Sequence, residues 1–404
     1  MKKNVLFITG QFLPYTKSVG GILRVYSFLQ TLKNKHNLYL LTNSGLYYGY
    51  LGIRKKSLKE IKIIYLKKKN NVNSFFLNCK TLLFRIFNFN KFFQNLLYLL
   101  CIDYSFFFID QYYKETIKII DSKKINYIII SAPPFSLFFL IKRIKLKYPD
   151  IKIVVDYRDG WSGRVNSVFL YIIKNFVKNF IEKNIIKFTE SILVATNSIK
   201  ISLSLITKKK ITLITNGFLN ISSRAKLNKS KKILIGYFGL ISDQSNSYRD
   251  ISIIFNLFKK NYLLQKKYLF YFYGNNNISN LAIKNFSCFK FKKHISHSKV
   301  LSKMSNMDYL LTLHTEKSTA QEVITGKLYD YIASRVPIIF ISAAETEGGK
   351  IVTKYKLGFS INYYRSNLES FFLNLKKTIN LNHKKNISFF SREFQNKKLF
   401  HLIK

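Results

Sequence analysis

Residues 322–341 read EVITGKLYDYIASRVPIIFI, and their pattern predicts a helix followed by a strand. After Thr325, apolar residues recur at helical spacing and predict a helix that Ser334 and Pro337 bring to an end. The apolar run 338–341 then predicts a buried strand. A helix that leads through a short turn into a buried strand is typical of α/β proteins.

Two acidic residues, Glu322 and Asp330, stand eight positions apart across the start of this helix. Eight residues make just over two turns, so Glu322 is expected in the preceding loop and Asp330 in the second turn. A helix N-terminus presents free N–H groups to an anion, and Lys327, next to Gly326, can meet a phosphate as a point charge. The alternative is an amphipathic helix with a solvated acidic edge.

The same stretch resembles the E-x7-E segment of GT-B retaining glycosyltransferases of family 4, although its second acid is Asp330 instead of Glu. The resemblance implies an α/β protein of GT-B type, with two doubly wound Rossmann-like domains facing across a cleft. It implies transfer of a sugar from a nucleotide-sugar with retention at the anomeric carbon. It also implies that Glu322 and Lys327 are catalytic and that Gly326 and Asp330 bind the donor. The Glu322 carboxylate would accept hydrogen bonds from hydroxyls of the transferred sugar, and that of Asp330 from the ribose hydroxyls.

Two further segments concern the donor's diphosphate. Gly20 and Gly21 lie in a loop between a predicted strand and a predicted helix, where glycines let a ligand approach the backbone. They resemble the family's N-terminal loop, although any strand-to-helix loop can use such a pair. In the second half, many family members place two basic residues after the glycine that corresponds to Gly239. Here Leu240 takes the first position, and Arg249 is the candidate for the second.

Polar residues follow two predicted strands, 126–130 and 151–155, where an α/β fold binds its ligands. These segments resemble the Ser-Pro-Pro loop and the D-x-R-D-x-W motif of a bacterial subgroup of family 4. The resemblance implies an acceptor side formed by Ser131, Asp156, Arg158, Asp159 and Trp161. The alternatives are a salt-bridge cluster that holds the loop, and a tryptophan that packs internally.

The chain is strongly basic, with 67 Lys and Arg against 20 Asp and Glu and a net charge of +47. Such a balance indicates a polyanionic partner: nucleic acid, anionic lipid or a phosphorylated substrate. The alternative is an AT-rich genome, which would raise the lysine content without a functional cause. No clustered nucleic-acid-binding motif is found, so no specific nucleic acid is expected.

Aromatic and basic residues are interleaved in the stretch 75–98, which includes Lys80, Arg85 and Lys91. This mixture suits a helix that lies in a membrane interface, or alternatively a pair of core helices. No signal peptide is seen before the first predicted strand, and no clean transmembrane span is found. We therefore expect a cytoplasmic protein, peripheral on the inner face of the cytoplasmic membrane if the interface hypothesis holds.

The polar stretch 221–232 predicts a domain boundary, which gives an N-terminal acceptor-side domain over 1–222 and a nucleotide-sugar-binding domain over 223–383. A C-terminal helix over 384–404 is expected to pack back on the first domain. With no D-x-D and no metal-ligand spacing, the sequence predicts no metal and no cofactor, with the nucleotide-sugar as co-substrate. The expected acceptor is a lipid-linked or oligosaccharide one in surface polysaccharide synthesis. The alternative is a degenerate GT-B protein that acts as a basic membrane- or polyanion-binding protein.

Overall fold

The structure is a computed structural model of the 404-residue chain. It describes residues 2–14, 21–43, 60–66, 103–161, 168–219, 221, 230–244, 247, 249–274, 276–293, 295, 297–315, 324–377 and 386–403. The chain folds as two compact units, one made of Met1–Ile214 with Asn396–Lys404 and the other of Thr215–Gln395.

The first unit alternates strands and helices. In chain order, its described elements are β1 (Asn4–Thr9), α1 (Leu23–Leu32), β2 (Asn37–Thr42), β3 (Lys62–Tyr65), α2 (Ile109–Lys123), β4 (Tyr127–Ala132), α3 (Leu140–Lys147), β5 (Lys152–Tyr157), α4 (Val168–Ile186), β6 (Ser191–Val194), α5 (Asn197–Ser204) and β7 (Ile211–Leu213). Short 3-10 turns, Tyr104–Phe108 and Phe135–Phe139, precede α2 and α3. The described strands form one parallel sheet in the order β3-β2-β1-β4-β5-β6-β7.

Apolar residues cover this sheet on both faces, which explains why the central strands read as nearly continuous apolar runs. One core contains residues of α1 together with Leu399 and Ile403 from the end of the chain. The opposite core contains residues of α2, α3, α4 and α5. The strand order reverses between β1 and β4, so the ligand edge of a doubly wound sheet falls beyond their carboxyl ends.

The second unit has the same plan. Its described elements are β8 (Ile233–Phe238), β9 (Ile241–Ser242), α6 (Ser252–Lys260), α7 (Tyr262–Lys267), β10 (Tyr268–Tyr273), β11 (Asn276–Asn277), α8 (Leu281–Lys284), β12 (Phe289–Lys292), α9 (His297–Met304), β13 (Tyr309–His314), α10 (Gly326–Ser334), β14 (Ile338–Ser342), α11 (Glu347–Lys354), β15 (Gly358–Asn362), α12 (Leu368–Asn374) and α13 (Arg392–Asn396). Its main parallel sheet has the order β12-β10-β8-β13-β14-β15, and β11 pairs with β9.

Both units are therefore doubly wound parallel sheets of the Rossmann kind, which confirms the predicted α/β class. The chain divides after Ile214 and again after Gln395, where the sequence had suggested 222 and 383. One expectation is wrong: residues 384–404 do not form a single helix. The described part of this segment consists of 3-10 turns at Ser388–Phe390 and Lys397–His401, with α13 between them.

Backbone pairing explains the break in this segment. The N–H of Phe218 donates to the carbonyl of Phe390, and the N–H of Arg392 donates to the carbonyl of Phe218. Ser391 is extended as a result and interrupts the helical path. No helix of the described residues is long and apolar enough to cross a membrane.

Candidate functional site

Lys327 occupies the first turn of α10, the helix that the opening stretch predicted. Its Nζ lies 2.6 Å from the hydroxyl oxygen of Tyr237 and 3.8 Å from the centre of that ring. Tyr237 is fully buried near the carboxyl end of β8, and its hydroxyl donates to the carbonyl of Leu240 at 2.8 Å. A chain of donors thus runs from the ammonium through the phenol to the loop after β8, and it fixes the lysine against the edge of the sheet.

Burial lowers the pKa of Lys327 well below its ordinary value, and the positive charge of Arg249 lowers it further. The Lys327 residue as a whole is half-buried at the start of the helix. A cation in this position is held without a described carboxylate beside it as an ion-pair partner. A negatively charged ligand would restore the ammonium form, because an opposite charge favours the charged state.

The backbone around Lys327 leaves room for such a ligand. A Cβ added at Gly326 would meet no described atom within 4 Å. Gly239, at the end of β8, has a φ of +132°, a conformation that residues with a side chain rarely adopt. A Cβ there would lie 3.6 Å from the Lys327 Nζ. The backbone at Gly326 is therefore open to a ligand such as a diphosphate, and Gly239 lies in contact distance of the amine.

Arg249 and Asp330, the other predicted donor-binding residues described, lie in the same unit. Arg249 lies in the loop after β9 and is half-buried, and its positive charge contributes to the lowered pKa of Lys327. Asp330 is half-buried in the second turn of α10, as the spacing predicted. The positive charges of Lys327 and Arg249 are thus close enough to interact, and Asp330 lies about one turn along the helix from Lys327.

The predicted acceptor-side residues of the first unit form a buried polar cluster centred on Asp156. The guanidinium of Arg24 contacts this carboxylate through Nε at 2.9 Å and through Nη2 at 2.7 Å. The hydroxyl of Ser131 donates to the other carboxylate oxygen at 2.7 Å. Arg24 also donates to the carbonyl of Ile214 at 2.5 Å. The internal contacts of Asp156 tie α1, β4 and β5 together at the ligand edge.

The remaining residues of the D-x-R-D-x-W motif divide between the interior and the surface. Arg158 is buried and donates to the backbone carbonyls of Gly21, Ala132 and Pro133. Trp161 stacks on Phe135 at 4.9 Å between ring centres and is buried. Asp159 is exposed. The motif therefore holds its own loops through Arg158 and Trp161 and presents Asp159 outward.

Some predicted residues lie outside the described part of the chain: Glu322, Gly20 and the stretch 75–98. Gly21 is described, and a Cβ there would lie 2.8 Å from the side-chain nitrogen of Gln11. Within the described ranges, no three His, Cys, Asp or Glu side chains group as metal ligands, and independence of a metal stays a prediction.

Sequence reasoning missed two residues, Tyr237 and Arg24. Tyr237 reads as one apolar member of a buried strand, and nothing local shows that its hydroxyl meets a lysine 90 positions away. Arg24 stands 132 positions from Asp156, so the pair appears only once the sheet order is known. A charged residue on the mostly apolar buried face of α1 was the available signal.

No protein-family model matches the chain, and no curated protein matches it either. Solved structures do match over nearly its whole length. An α,α-trehalose-phosphate synthase (UDP-forming) from Burkholderia xenovorans, in complex with glucose-6-phosphate, has a TM-score of 0.63 at 7% identity, with 99% of each chain covered. A sucrose-phosphate synthase from Thermosynechococcus elongatus has a TM-score of 0.60 at 10% identity, covering 89% of this chain and 86% of that one. The lipopolysaccharide outer core galactosyltransferase WaaB, in its apo form, has a TM-score of 0.57 at 12% identity, with 99% of each chain covered.

These likenesses define the class of fold. The chain has the two Rossmann-like domains of a GT-B protein, as the sequence predicted.

Proposed function

We propose that this protein is a retaining glycosyltransferase, similar to family 4, that moves a sugar from a nucleotide-sugar donor to a lipid-linked or oligosaccharide acceptor. One observation carries the proposal. A lysine at the N-terminus of α10 is held by Tyr237 against the carboxyl edge of the second sheet, and a second cation, Arg249, lies near it. This arrangement suits the diphosphate of a nucleotide-sugar, because the helix terminus and both cations favour negative charge at one place.

The donor is bound by the second unit in this proposal. Lys327, Arg249 and the backbone at Gly326 take the diphosphate, and Asp330 accepts hydrogen bonds from the ribose hydroxyls. Glu322 holds hydroxyls of the transferred sugar, since a carboxylate suits a vicinal diol. Gly20 and Gly21 are kept in this proposal as donor-binding residues, on the resemblance of their loop to that of family 4.

Catalysis in this scheme depends on charge stabilisation and positioning. When the bond to the anomeric carbon breaks, the leaving diphosphate gains negative charge, and a fixed ammonium at Lys327 stabilises that charge more than it stabilises the ground state. Tyr237 keeps the ammonium in place before the reaction, so no reorganisation is needed during it. No metal or cofactor is needed in this proposal.

The acceptor belongs to the first unit. Asp156, Arg158, Ser131 and Trp161 have internal partners, so they shape the acceptor-side loops, and the exposed Asp159 is left to contact the acceptor itself. Surface polysaccharide is the proposed product, supported by the resemblance of the two motifs and by the likeness to a lipopolysaccharide galactosyltransferase. The protein would then work in the cytoplasm, at the inner face of the membrane.

A binding protein without catalysis is the second candidate, and exposed Leu240 favours it, because it stands where a basic side chain was expected. Lys327 supplies a positive charge close to that position, because its amine contacts the Tyr237 hydroxyl, which in turn donates to the carbonyl of Leu240.

The experiment that separates the two candidates is a turnover assay. Purified protein is mixed with each common nucleotide-sugar and with membrane lipids that contain glycan carriers, and release of nucleoside diphosphate is measured. The transferase predicts release with one donor, a product whose anomeric configuration matches the donor by NMR, and loss of both with Lys327→Met. Binding of nucleotide-sugars without any release would favour the degenerate protein.

A further inference from the structure

The α4 helix of the first unit presents a row of large apolar side chains to the outside. Ile172, Phe176 and Phe180 are 62%, 75% and 66% exposed. They stand four positions apart, so they lie one above another on a single face. The opposite face packs inward through Ile185, which belongs to the core of the unit, and through Ile181, which packs against that core. The helix is therefore anchored by one face and leaves an apolar face without a described covering element.

The charged residues of α4 place a lysine on the same face as this apolar row and a glutamate in the interior. Lys183 is exposed and follows Phe180 by three positions, so it continues the same face. The one acid of the helix, Glu182, is 2% exposed and lies inward, where its carboxylate is 3.6 Å from the ammonium of Lys178. The outward face therefore joins aromatic and aliphatic side chains to positive charge and carries no carboxylate.

We infer that this face of α4 binds an anionic lipid surface. Phenylalanine and isoleucine followed by lysine on one helix face is the composition that inserts shallowly among lipid headgroups. The chain's net charge of +47 attracts the whole molecule to such a surface and disfavours a basic protein as the partner. The α4 helix contains three lysines and one glutamate among its 19 residues, too many charges for the apolar interior of a bilayer. We therefore infer that it lies parallel to the membrane surface, at the level of the headgroups.

The position of α4 connects this surface to the acceptor side. The helix follows β5, so it begins near the carboxyl edge that carries Asp156. Phe106 and Phe107, in the 3-10 turn before α2, are also exposed. A membrane bound by this face would bring a lipid-linked acceptor to the first unit. That consequence rests on the proposed function, whereas the binding itself requires no turnover and can be tested without it.

The test measures sedimentation with vesicles of phosphatidylcholine alone and with phosphatidylglycerol added. The full chain is compared with the variant Phe176→Ser/Phe180→Ser. We expect the variant to lose about tenfold in partitioning to the anionic vesicles, because two inserted rings are removed. The matched control is Leu263→Ser/Leu281→Ser in the second unit, which replaces two equally exposed side chains and should bind as the full chain does.

A second readout places the helix in the lipid directly. Trp161 is the one tryptophan, and it is buried against Phe135, so bromolipids should quench it little. In the variant Phe176→Trp, the new tryptophan should fluoresce next to the lipid. Bromine near the headgroup end of the acyl chains should then quench a much larger fraction of the tryptophan fluorescence than in the unmodified chain. Absence of added quenching in vesicle-bound protein would overturn the inference.

Three other results would also overturn it. Equal binding by Phe176→Ser/Phe180→Ser and the full chain would place the lipid contact elsewhere. A lowered melting temperature of that variant would show that the rings are covered within the fold. A lipid-free dimer that this variant converts to a monomer, in analytical ultracentrifugation, would assign the face to a second copy of the chain. Vesicle binding without sugar transfer would contradict only the proposed function, and transfer to a free oligosaccharide without vesicle binding only the inference.

Discussion

At the scale of single residues, the proposal depends on the amine of Lys327 and on the phenol that holds it. Tyr237→Phe removes the hydroxyl oxygen 2.6 Å from that amine while keeping the buried ring. We expect the KM for the donor to rise about tenfold or more, since a hydrogen bond to a charged group contributes about 1.5 kcal/mol or more. The turnover number should change less, because the ammonium remains near the diphosphate. Steady-state kinetics with a varied donor measure both constants. An unchanged KM would show that Tyr237 does not position the lysine for binding.

Protonation of Lys327 gives a pH dependence whose sign can be worked out. Burial lowers the pKa of the free protein's Lys327, and a bound diphosphate raises the pKa again because it favours the ammonium. The complex then binds more protons than the free protein, so affinity should increase as pH falls through the window between the two pKa values. Calorimetry of nucleoside diphosphate binding, in buffers of different ionisation enthalpy, should show proton uptake above that of Lys327→Met. Proton release, or the same uptake in that variant, would contradict this assignment.

Glu322 is predicted to act in the transition state. Glu322→Gln should lower turnover about 100-fold, or about 2.7 kcal/mol, without loss of the fold. The measurement is kcat together with the melting temperature, which reports on the fold separately. Activity equal to that of the unmodified protein would remove Glu322 from the mechanism.

At the scale of elements, the pair between Arg24 and Asp156 joins α1 to β5. Both side chains are buried, so Asp156→Asn leaves a buried guanidinium without its counter-charge. We expect the free energy of unfolding of the first unit to fall by about 3 kcal/mol. Asp150→Asn, exposed in the turn before β5, is the control and should change the free energy of unfolding by less than about 0.5 kcal/mol. Urea titration measures both. An Asp156→Asn variant of full stability with reduced transfer would instead make Asp156 an acceptor-binding residue.

The elements themselves were largely predictable, and their contacts were not. The apolar runs that became β1, β4, β5, β8, β13 and β14 stand out because both faces of each strand are buried, and α10 begins and ends close to where its apolar spacing and Pro337 predicted. The Arg24 pair and the Tyr237 contact were not predictable, because each joins distant segments that only the sheet order brings together. The C-terminal segment was mispredicted because its course depends on backbone pairing with Phe218, which leaves no trace in side-chain periodicity.

At the scale of the whole molecule, the proposed mechanism stabilises the leaving diphosphate with protein groups and requires no metal ion. The sequence has no D-x-D, and the proposed charge stabilisation uses Lys327, Arg249 and a helix terminus. Transfer should therefore continue in excess EDTA. Complete loss of activity in EDTA, with recovery on adding magnesium or manganese, would show that a metal ion carries the diphosphate charge instead.

The proposal requires that the second unit bind a nucleotide-sugar through Lys327, and thermal-shift measurements with a panel of nucleotide-sugars test this claim. Nucleotide-sugars that contain uridine, guanosine, adenosine, thymidine or cytidine are added one at a time to the full chain and to the variant Lys327→Met. A ligand at one hundred times its Kd stabilises by about 2.7 kcal/mol, which raises the melting temperature by several degrees in a domain of this size. We predict such a rise for one base with the full chain and its loss in Lys327→Met, with the unliganded melting temperature unchanged. No rise with any nucleotide-sugar at millimolar concentration, or an equal rise in the variant, would contradict the claim.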